Sequence, residues 1–140
     1  MAEKTEARTS LNAPDERSAK EALRAPGKPQ VTRPDHCCVH HYWAVIERDG
    51  TLVRGRNVVR SAKVGPPGQY EVVFTGDVSR GVYVASIGRP GITTEPAGEI
   101  GVALRCCLPA AEANRGVWVD THNSSGAYED RAFHLVVHVD

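Results

Sequence analysis

The sequence predicts a single all-β domain, an antiparallel β-sandwich or jelly-roll-like fold, behind a flexible N-terminal arm. From residue 42 onward, short β-branched and aromatic runs alternate with clusters of Gly, Pro, Asn and Asp, and helical periodicity is absent. These runs recur about every ten residues, which favours a sandwich over a parallel sheet. The 140 residues have room for one such domain, because compact domains most often hold roughly 100–150 residues.

Residues 1–35 are predicted to form the arm. They contain few large hydrophobic residues, chiefly Leu11, Leu23 and Val31, and they are interrupted by prolines. Such a segment cannot bury enough apolar surface to offset the entropy lost on ordering. We therefore expect the arm to be disordered when free and to fold on a partner, with the sandwich spanning residues 36–140.

The strands are predicted from alternation and from turn signals. Asp49-Gly50 is a strong hairpin signal between the first two strands. Tyr70, Val72 and Phe74 alternate with other residues at period two, which predicts a strand with one face buried. The predicted strands are 42–47, 51–53, 57–64, 69–75, 81–87, 99–106, 117–121 and 132–139. The predicted core residues are Tyr70, Val72, Phe74, Trp118, Phe133, Leu135 and Val137.

Two polar or glycine-rich loops, 88–98 and 122–130, are predicted to be displayed at the surface. A rigid sandwich commonly presents its binding residues on such loops. We expect the ligand to be a protein surface or a glycan, with Arg89 and Tyr128 as contact residues. No nucleophile with a base and an orienting group can be assigned with triad geometry, so we expect a non-enzymatic module.

A homo-oligomer is predicted from strands that are apolar on both faces. Residues 42–46 are apolar on both sides, and Val136 lies opposite the apolar row of the last strand. One sandwich core covers only one face of each strand, so a second subunit is the simplest cover. The alternative is that the N-terminal arm folds back over this face and leaves a monomer.

The charge balance gives no global reason to bind nucleic acid or an anionic membrane, because 17 basic residues balance 17 acidic residues. A local cluster of basic residues is interpreted as a solvated surface whose charges are paired elsewhere. The N-terminus has no secretion signal, and no apolar run approaches the roughly 20 residues that span a bilayer. We expect cytoplasmic synthesis and no membrane association. The clustered basic residues are Arg48, Arg54, Arg56, Arg60 and Lys63.

The densest group of metal-ligand residue types is His36-Cys37-Cys38-Val39-His40-His41. In an extended segment, His36, Cys38 and His40 point to the same side, and imidazole with thiolate suits zinc or copper. Cys106 or Cys107 would supply a fourth ligand. The simpler interpretation, which we favour, is a boundary segment without a cofactor. A redox role, or a cross-link between the two vicinal cysteine pairs, stays open.

Four segments carry a resemblance: Gly68-Gln-Tyr-Glu-Val-Val-Phe-Thr-Gly-Asp-Val-Ser, Gly81-Val-Tyr-Val-Ala-Ser-Ile-Gly, Gly116-Val-Trp-Val-Asp-Thr and Asp130-Arg-Ala-Phe-His-Leu-Val-Val. They resemble a small all-β, tail-fibre-like domain that recurs in uncharacterised bacterial and phage-associated proteins. The first run is also similar to the central strand of trimeric C1q and tumour-necrosis-factor-like jelly rolls. The resemblance implies a trimer, incorporation into a phage-like or other large particle, and no catalytic residue. The alternative function is a small metal-binding protein or metalloenzyme that uses the cluster at 36–41.

Overall fold

A computed structural model of the chain describes residues 40–140. The predicted arm, together with His36 and Cys38, lies outside the described residues. The described part contains eight strands and one short 3-10 helix, Ala110–Glu112. The strands are β1 His40–Ile46, β2 Leu52–Arg56, β3 Val58–Lys63, β4 Gln69–Phe74, β5 Val82–Ile87, β6 Gly98–Leu104, β7 Gly116–Asn123 and β8 Phe133–Val139.

The strands form two four-stranded antiparallel sheets, which confirms the predicted β-sandwich. Sheet A has the order β2-β1-β8-β5, and sheet B has the order β3-β4-β7-β6. Within sheet A, β8 pairs with both β1 and β5, so the last strand of the chain lies at the centre of its sheet. The two central strands of each sheet therefore come from distant parts of the sequence.

The core lies between the sheets and is built from the inward positions of β1, β4, β7 and β8. Edge-to-face aromatic contacts join the two sheets: the ring centroids of Tyr70 and Phe133 are 5.1 Å apart, and those of Tyr42 and Phe74 are 5.5 Å apart. Six of the seven predicted core residues are buried here: Tyr70, Val72, Phe74, Phe133, Leu135 and Val137.

Trp118 was placed in the core by the sequence, and that prediction is wrong. Val117, Val119 and Thr121 are the fully buried residues of β7. Because side chains alternate along a strand, Trp118 lies on the outer face of sheet B. There the guanidinium carbon of Arg105 lies 4.9 Å from its ring centroid, in a cation–π arrangement.

β4 is buried on both faces, which corrects the prediction of a half-buried strand. Val73 on the outer face is completely buried. It pairs with Gly116, where an added Cβ would lie 2.5 Å from the Cδ1 atom of Leu108. The loop between β6 and β7 therefore folds back over this face. Glu71, a second outward residue, is also buried and is paired with Arg60 and Arg105, and the third, Gln69, is half-buried.

One turn closes a hairpin within sheet A, and a second takes the chain from sheet A to sheet B. The β1–β2 hairpin closes through a hydrogen bond from the Gly50 amide to the Glu47 carbonyl oxygen, and Gly50 has a φ of 88°. Since this conformation favours glycine, the Asp49-Gly50 signal correctly located the turn. After β2 the chain crosses to sheet B at Asn57, which has a φ of 60°.

Candidate functional site

An open polar cleft lies at one end of the sandwich. Its volume is about 560 Å³, within the range of roughly 300–1,000 Å³ that is typical of small-ligand sites. Three segments that are distant in sequence meet there: the β1–β2 hairpin, the β3–β4 connection and residues 128–131. Three cationic and three anionic side chains line this end cleft, so its formal charge is zero. The lining residues are Arg48, Asp49, Lys63, Pro67, Tyr128, Glu129, Asp130 and Arg131.

Asp130 ties the walls of the end cleft together. One carboxylate oxygen accepts a hydrogen bond from Lys63 Nζ at 2.5 Å, and the other accepts one from the Gly68 amide at 2.6 Å. Burial raises the pKa of Asp130, but the hydrogen bonds from Lys63 and Gly68 outweigh burial and leave the pKa below its usual value. Asp130 is therefore ionised at neutral pH and fixes the β3–β4 connection against the last loop.

Tyr70 connects the β1–β2 hairpin to Asp130 at this end of the sandwich. Its hydroxyl donates a hydrogen bond to the Arg48 carbonyl oxygen at 2.8 Å and lies 3.3 Å from an oxygen of Asp130. Burial and the negative charge of Asp130 raise the pKa of Tyr70, so the hydroxyl stays protonated. Gly68 must be glycine here, because its φ is 75° and an added Cβ would collide with the Thr121 carbonyl oxygen.

Arg131 is the residue of the end cleft that has a buried hydrogen-bond donor without a partner among the described residues. Its side chain is only 7% exposed, and Nη2 lies 2.7 Å from Glu129 Oε2. Nε is buried and has no hydrogen-bond partner among the described residues. An unpaired buried donor costs about 1–3 kcal/mol, so this atom weakens the packing of the cleft wall.

Tyr128, a predicted contact residue, lies on the rim of the end cleft. It is among the exposed large hydrophobic residues, and its ring centroid is 4.4 Å from that of His122. The isolated bridge between these two residues holds the Tyr128 backbone in register with β7. Tyr128 therefore presents a supported aromatic face beside a polar cleft.

Arg89, the other predicted contact residue, is engaged within the chain. Its Nε lies 2.7 Å from Glu95 Oε1, while Arg48 Nε lies 2.9 Å from Glu95 Oε2. The Glu95 side chain is 1% exposed between these two arginines. Burial raises the pKa of Glu95, but the hydrogen bonds from Arg48 and Arg89 lower it by more, so the carboxylate is ionised. Arg89 thus reaches the end cleft only through Glu95 and Arg48.

The loop between β5 and β6 is therefore pinned along much of its length. Arg54 Nη1 donates to the Pro90 carbonyl oxygen at 3.2 Å, and His134 Nε2 lies 3.1 Å from the Arg89 carbonyl oxygen. Val45 lies between Arg54 and His134 on the outer face of sheet A, so the loop passes over it and buries it. Residues 91–94 and 96–98 are nevertheless exposed, and Ile92 at the tip is completely exposed. The loop therefore lies at the surface, as predicted, and is anchored to sheet A by hydrogen bonds.

The rest of the outer face of sheet A is open. The register aligns Val84, Val136 and Trp43 in one row across β5, β8 and β1, and Val82, His138 and His41 in the next row. Val82 is 63% exposed, Val84 is 57% exposed and Val136 is 37% exposed. We call Trp43, Val82, Val84 and Val136 the outer apolar patch.

His40 is the one member of the predicted metal triad within the described residues. It is exposed at the start of β1, and its ring centroid is 6.2 Å from that of Tyr42. His36 and Cys38 lie outside the described residues. Within residues 40–140, no group of three or more His, Cys, Asp or Glu side chains is arranged to hold a metal ion. Cys106 and Cys107, the candidates for a fourth ligand, are both exposed.

The five clustered basic residues do not form one continuous patch, although Arg48 and Lys63 both line the end cleft. Arg48, Arg60 and Lys63 pair with different acidic residues, namely Glu95, Glu71 and Asp130. Arg54 instead donates to a backbone carbonyl oxygen. The interpretation that most of these charges are paired elsewhere is confirmed for the described residues.

No family model matches the chain, and neither does any curated protein or solved structure. None of the helices within residues 40–140 is long and apolar enough to cross a membrane.

Sequence reasoning named Tyr128 and the 122–130 loop, and it placed Arg48 and Lys63 in a basic cluster, but it did not predict that these residues meet in one cleft. Lys63 and Asp130 are 67 positions apart, and no spacing rule connects residues at that separation. The only local signal was the polar run ending at Asp130, immediately before the last strand. The chemistry of Arg131 had no sequence signal, because its burial depends on the packing of the loops around it.

Proposed function

We propose that this protein is a non-enzymatic recognition module whose end cleft binds a glycan. The observation that carries this proposal is the exposed Tyr128 ring, supported by His122, on the rim of a cleft whose charged side chains are held in fixed pairs. An aromatic face packs against the C–H face of a sugar ring, and charged side chains in fixed positions hydrogen-bond its hydroxyl groups.

The charge of the end cleft favours a neutral polyol over an ion. Its three cationic and three anionic side chains are balanced, and the pairs Lys63–Asp130 and Arg131–Glu129 are already formed. A phosphate or carboxylate ligand would have to compete with these carboxylates. A sugar hydroxyl both donates and accepts, so it can join the existing pairs without separating them.

We propose further that the module is a homo-oligomer, with a trimer as the expected state, assembled through the outer apolar patch. Val82, Val84 and Val136 are exposed and contiguous, which is the arrangement expected of an interaction surface. The resemblance to trimeric jelly rolls supports the number of subunits. Multivalent presentation of one weak cleft per subunit would raise the overall affinity for a glycan-covered surface.

The N-terminal arm is proposed to dock the module onto a larger assembly, such as a phage-like particle. The resemblance to tail-fibre-like domains and the composition of residues 1–35 support this role. Segments of this composition commonly acquire structure only on a partner.

Glycan binding is tested by screening the full-length protein on a glycan array and measuring the affinity of any hit by calorimetry. Tyr128→Ala should weaken binding at least about tenfold, which corresponds to about 1.4 kcal/mol. Tyr128→Phe keeps the ring and should retain most of the affinity. The proposal fails if no glycan binds, or if Tyr128→Ala binds as well as the parent protein. Capture of a protein through the same cleft would support the other ligand class.

Oligomerisation is tested by light scattering on the full-length protein and on a form starting at Asp35. Val84→Glu should dissociate the oligomer, because it places a charge at the centre of the outer apolar patch. Val59→Glu is the matched control, since Val59 is similarly exposed (53%) but lies on β3 of sheet B. Monomers of both forms at micromolar concentration would refute the oligomer. Association of the truncated form alone would show that the arm covers the patch.

A further inference from the structure

The two cysteines between β6 and β7 form a close pair at the surface. Cys106 and Cys107 are both exposed, and their Sγ atoms are 2.6 Å apart, with the Cys107 thiol donating to Cys106. β6 ends at Leu104, so both cysteines lie beyond the strand that was predicted to include Cys106. Neither takes part in the end cleft or in the outer apolar patch.

The backbone at Cys107 is in an unusual conformation. Its φ is 63°, and the other non-glycine residues with positive φ in residues 40–140 are Asn57 and Asn114. Asparagine tolerates the left-handed region, whereas cysteine has no special preference for it. Strained backbone of this kind is concentrated at functional sites, where the surrounding structure maintains it.

The segments on both sides of the pair are anchored to sheet B. The Arg105 amide donates to the Gly116 carbonyl oxygen at 2.9 Å, and Arg105 Nε lies 2.9 Å from Glu71 Oε2. On the other side, Leu108 packs closely over Gly116. The two thiols are thus held in place by their neighbours while both stay accessible to solvent.

We propose that Cys106 and Cys107 are a reversible thiol-modification site that exchanges with low-molecular-mass disulfides and closes into a disulfide between neighbouring residues. The structural basis is the short distance between two exposed sulfurs on an anchored loop. Consecutive Cα atoms are only about 3.8 Å apart, whereas disulfide-linked residues are usually separated by roughly 4.4–6.8 Å. The closed ring is therefore strained and readily reduced, which is the property of a regulatory disulfide rather than a structural one.

The exchange has two steps. In the first, the Cys106 thiolate attacks one sulfur of the small disulfide, forms a mixed disulfide and releases one small thiolate, which takes up a proton. In the second, Cys107 loses its proton to solvent and attacks Cys106 Sγ, which breaks the mixed disulfide and releases the second small thiol. In total the protein loses two electrons and two protons, and the small disulfide is reduced to two thiols.

The two sulfurs lie so close together that the two thiols do not ionise together. The hydrogen bond to Cys106, together with the charge on a Cys106 thiolate, raises the pKa of the Cys107 thiol. Cys107 therefore keeps its proton while Cys106 reacts, and then acts as the resolving thiol.

The test equilibrates the folded full-length protein in glutathione buffers of graded oxidation, blocks free thiols with N-ethylmaleimide and digests with trypsin. Trypsin cleaves after Arg105 and after Arg115, so the peptide 106–115 contains Cys106 and Cys107 and no other cysteine. We expect this peptide to become unalkylated and lighter by two hydrogens as the buffer becomes oxidising, and to revert with dithiothreitol. The equilibrium constant for ring closure should be at least about tenfold larger in the folded protein than in urea, because folding raises the effective concentration of one thiol at the other.

Cysteine-to-serine variants test whether ring closure requires both Cys106 and Cys107. Cys106→Ser and Cys107→Ser should each give only a single glutathione adduct, whereas the double variant C37S/C38S should leave the titration of peptide 106–115 unchanged. The proposal is overturned if the parent protein yields only glutathione adducts on this peptide, or if the peptide is cross-linked to Cys37 or Cys38. Equal ring closure in the folded and urea-unfolded protein would also overturn it.

Discussion

Replacing Glu95 with glutamine should destabilise the folded protein by about 2 kcal/mol at neutral pH. Glu95 is nearly completely buried and accepts charge-assisted hydrogen bonds from Arg48 and Arg89, at distances between 2.7 and 3.1 Å. Hydrogen bonds to charged groups contribute about 1.5–3 kcal/mol each. Because the two arginine side chains are 41% and 37% exposed, solvent recovers part of this energy, and we discount the sum accordingly.

The pH dependence of this effect has a definite sign. The folded-state pKa of Glu95 is lowered, so its contribution to stability is fully present above the unfolded-state value of roughly 4.3 and is lost as the pH falls through the lower folded-state value. The difference in stability between parent and Glu95→Gln should therefore be constant near neutrality and shrink towards pH 3. Other acidic residues with lowered pKa values, such as Asp130, are present in both proteins and cancel in the difference.

The assay is urea unfolding of both proteins at several pH values, followed by circular dichroism or tryptophan fluorescence. Glu99→Gln is the matched control, since Glu99 is exposed on β6 and should change the free energy of unfolding by less than about 0.5 kcal/mol. A loss below about 0.5 kcal/mol for Glu95→Gln would refute the reasoning. So would a difference that does not diminish with falling pH.

Three further outcomes are expected. Phe74→Ala should reduce the free energy of unfolding by about 3–5 kcal/mol in a denaturant melt, because it truncates a completely buried aromatic residue; a loss below about 1 kcal/mol would contradict its role in the core. Limited proteolysis of the full-length chain should leave a fragment that starts near residues 36–42, and a resistant N-terminus in a monomer would refute the predicted arm. Protein purified without a histidine tag should contain no stoichiometric transition metal; a metal lost on changing Cys38 and His40 would instead support a metal-binding function.

The alternation of apolar residues and the turn residues predicted most of the fold. β5 and β8 carry a clear period-two pattern, and Gly50 marks a turn that requires a positive φ. These signals are local, because alternation reflects the geometry of one strand and the turn reflects the conformation of a few residues. They were sufficient for the fold class and for the approximate positions of all eight strands.

Local signals failed where both faces of a strand are apolar. In β7, Val117, Trp118 and Val119 are consecutive apolar residues, and the alternation cannot say which of them faces the core. The fold places the two valines inward and leaves Trp118 outside, beneath Arg105. In β4, the burial of Val73 depends on a loop that comes from a different part of the chain.

The sequence by itself determined that this chain forms a β-sandwich and that Tyr128 lies in a polar loop. Only the tertiary structure decided that Tyr128 stands beside Arg131 at a charge-balanced cleft, and that the 88–98 loop is pinned by Glu95. The physical reason is that both features depend on contacts between residues far apart in sequence: Glu95 is 47 positions from Arg48, and Asp130 is 62 positions from Gly68. Such contacts form only after the two sheets have paired and packed, and no local pattern encodes them.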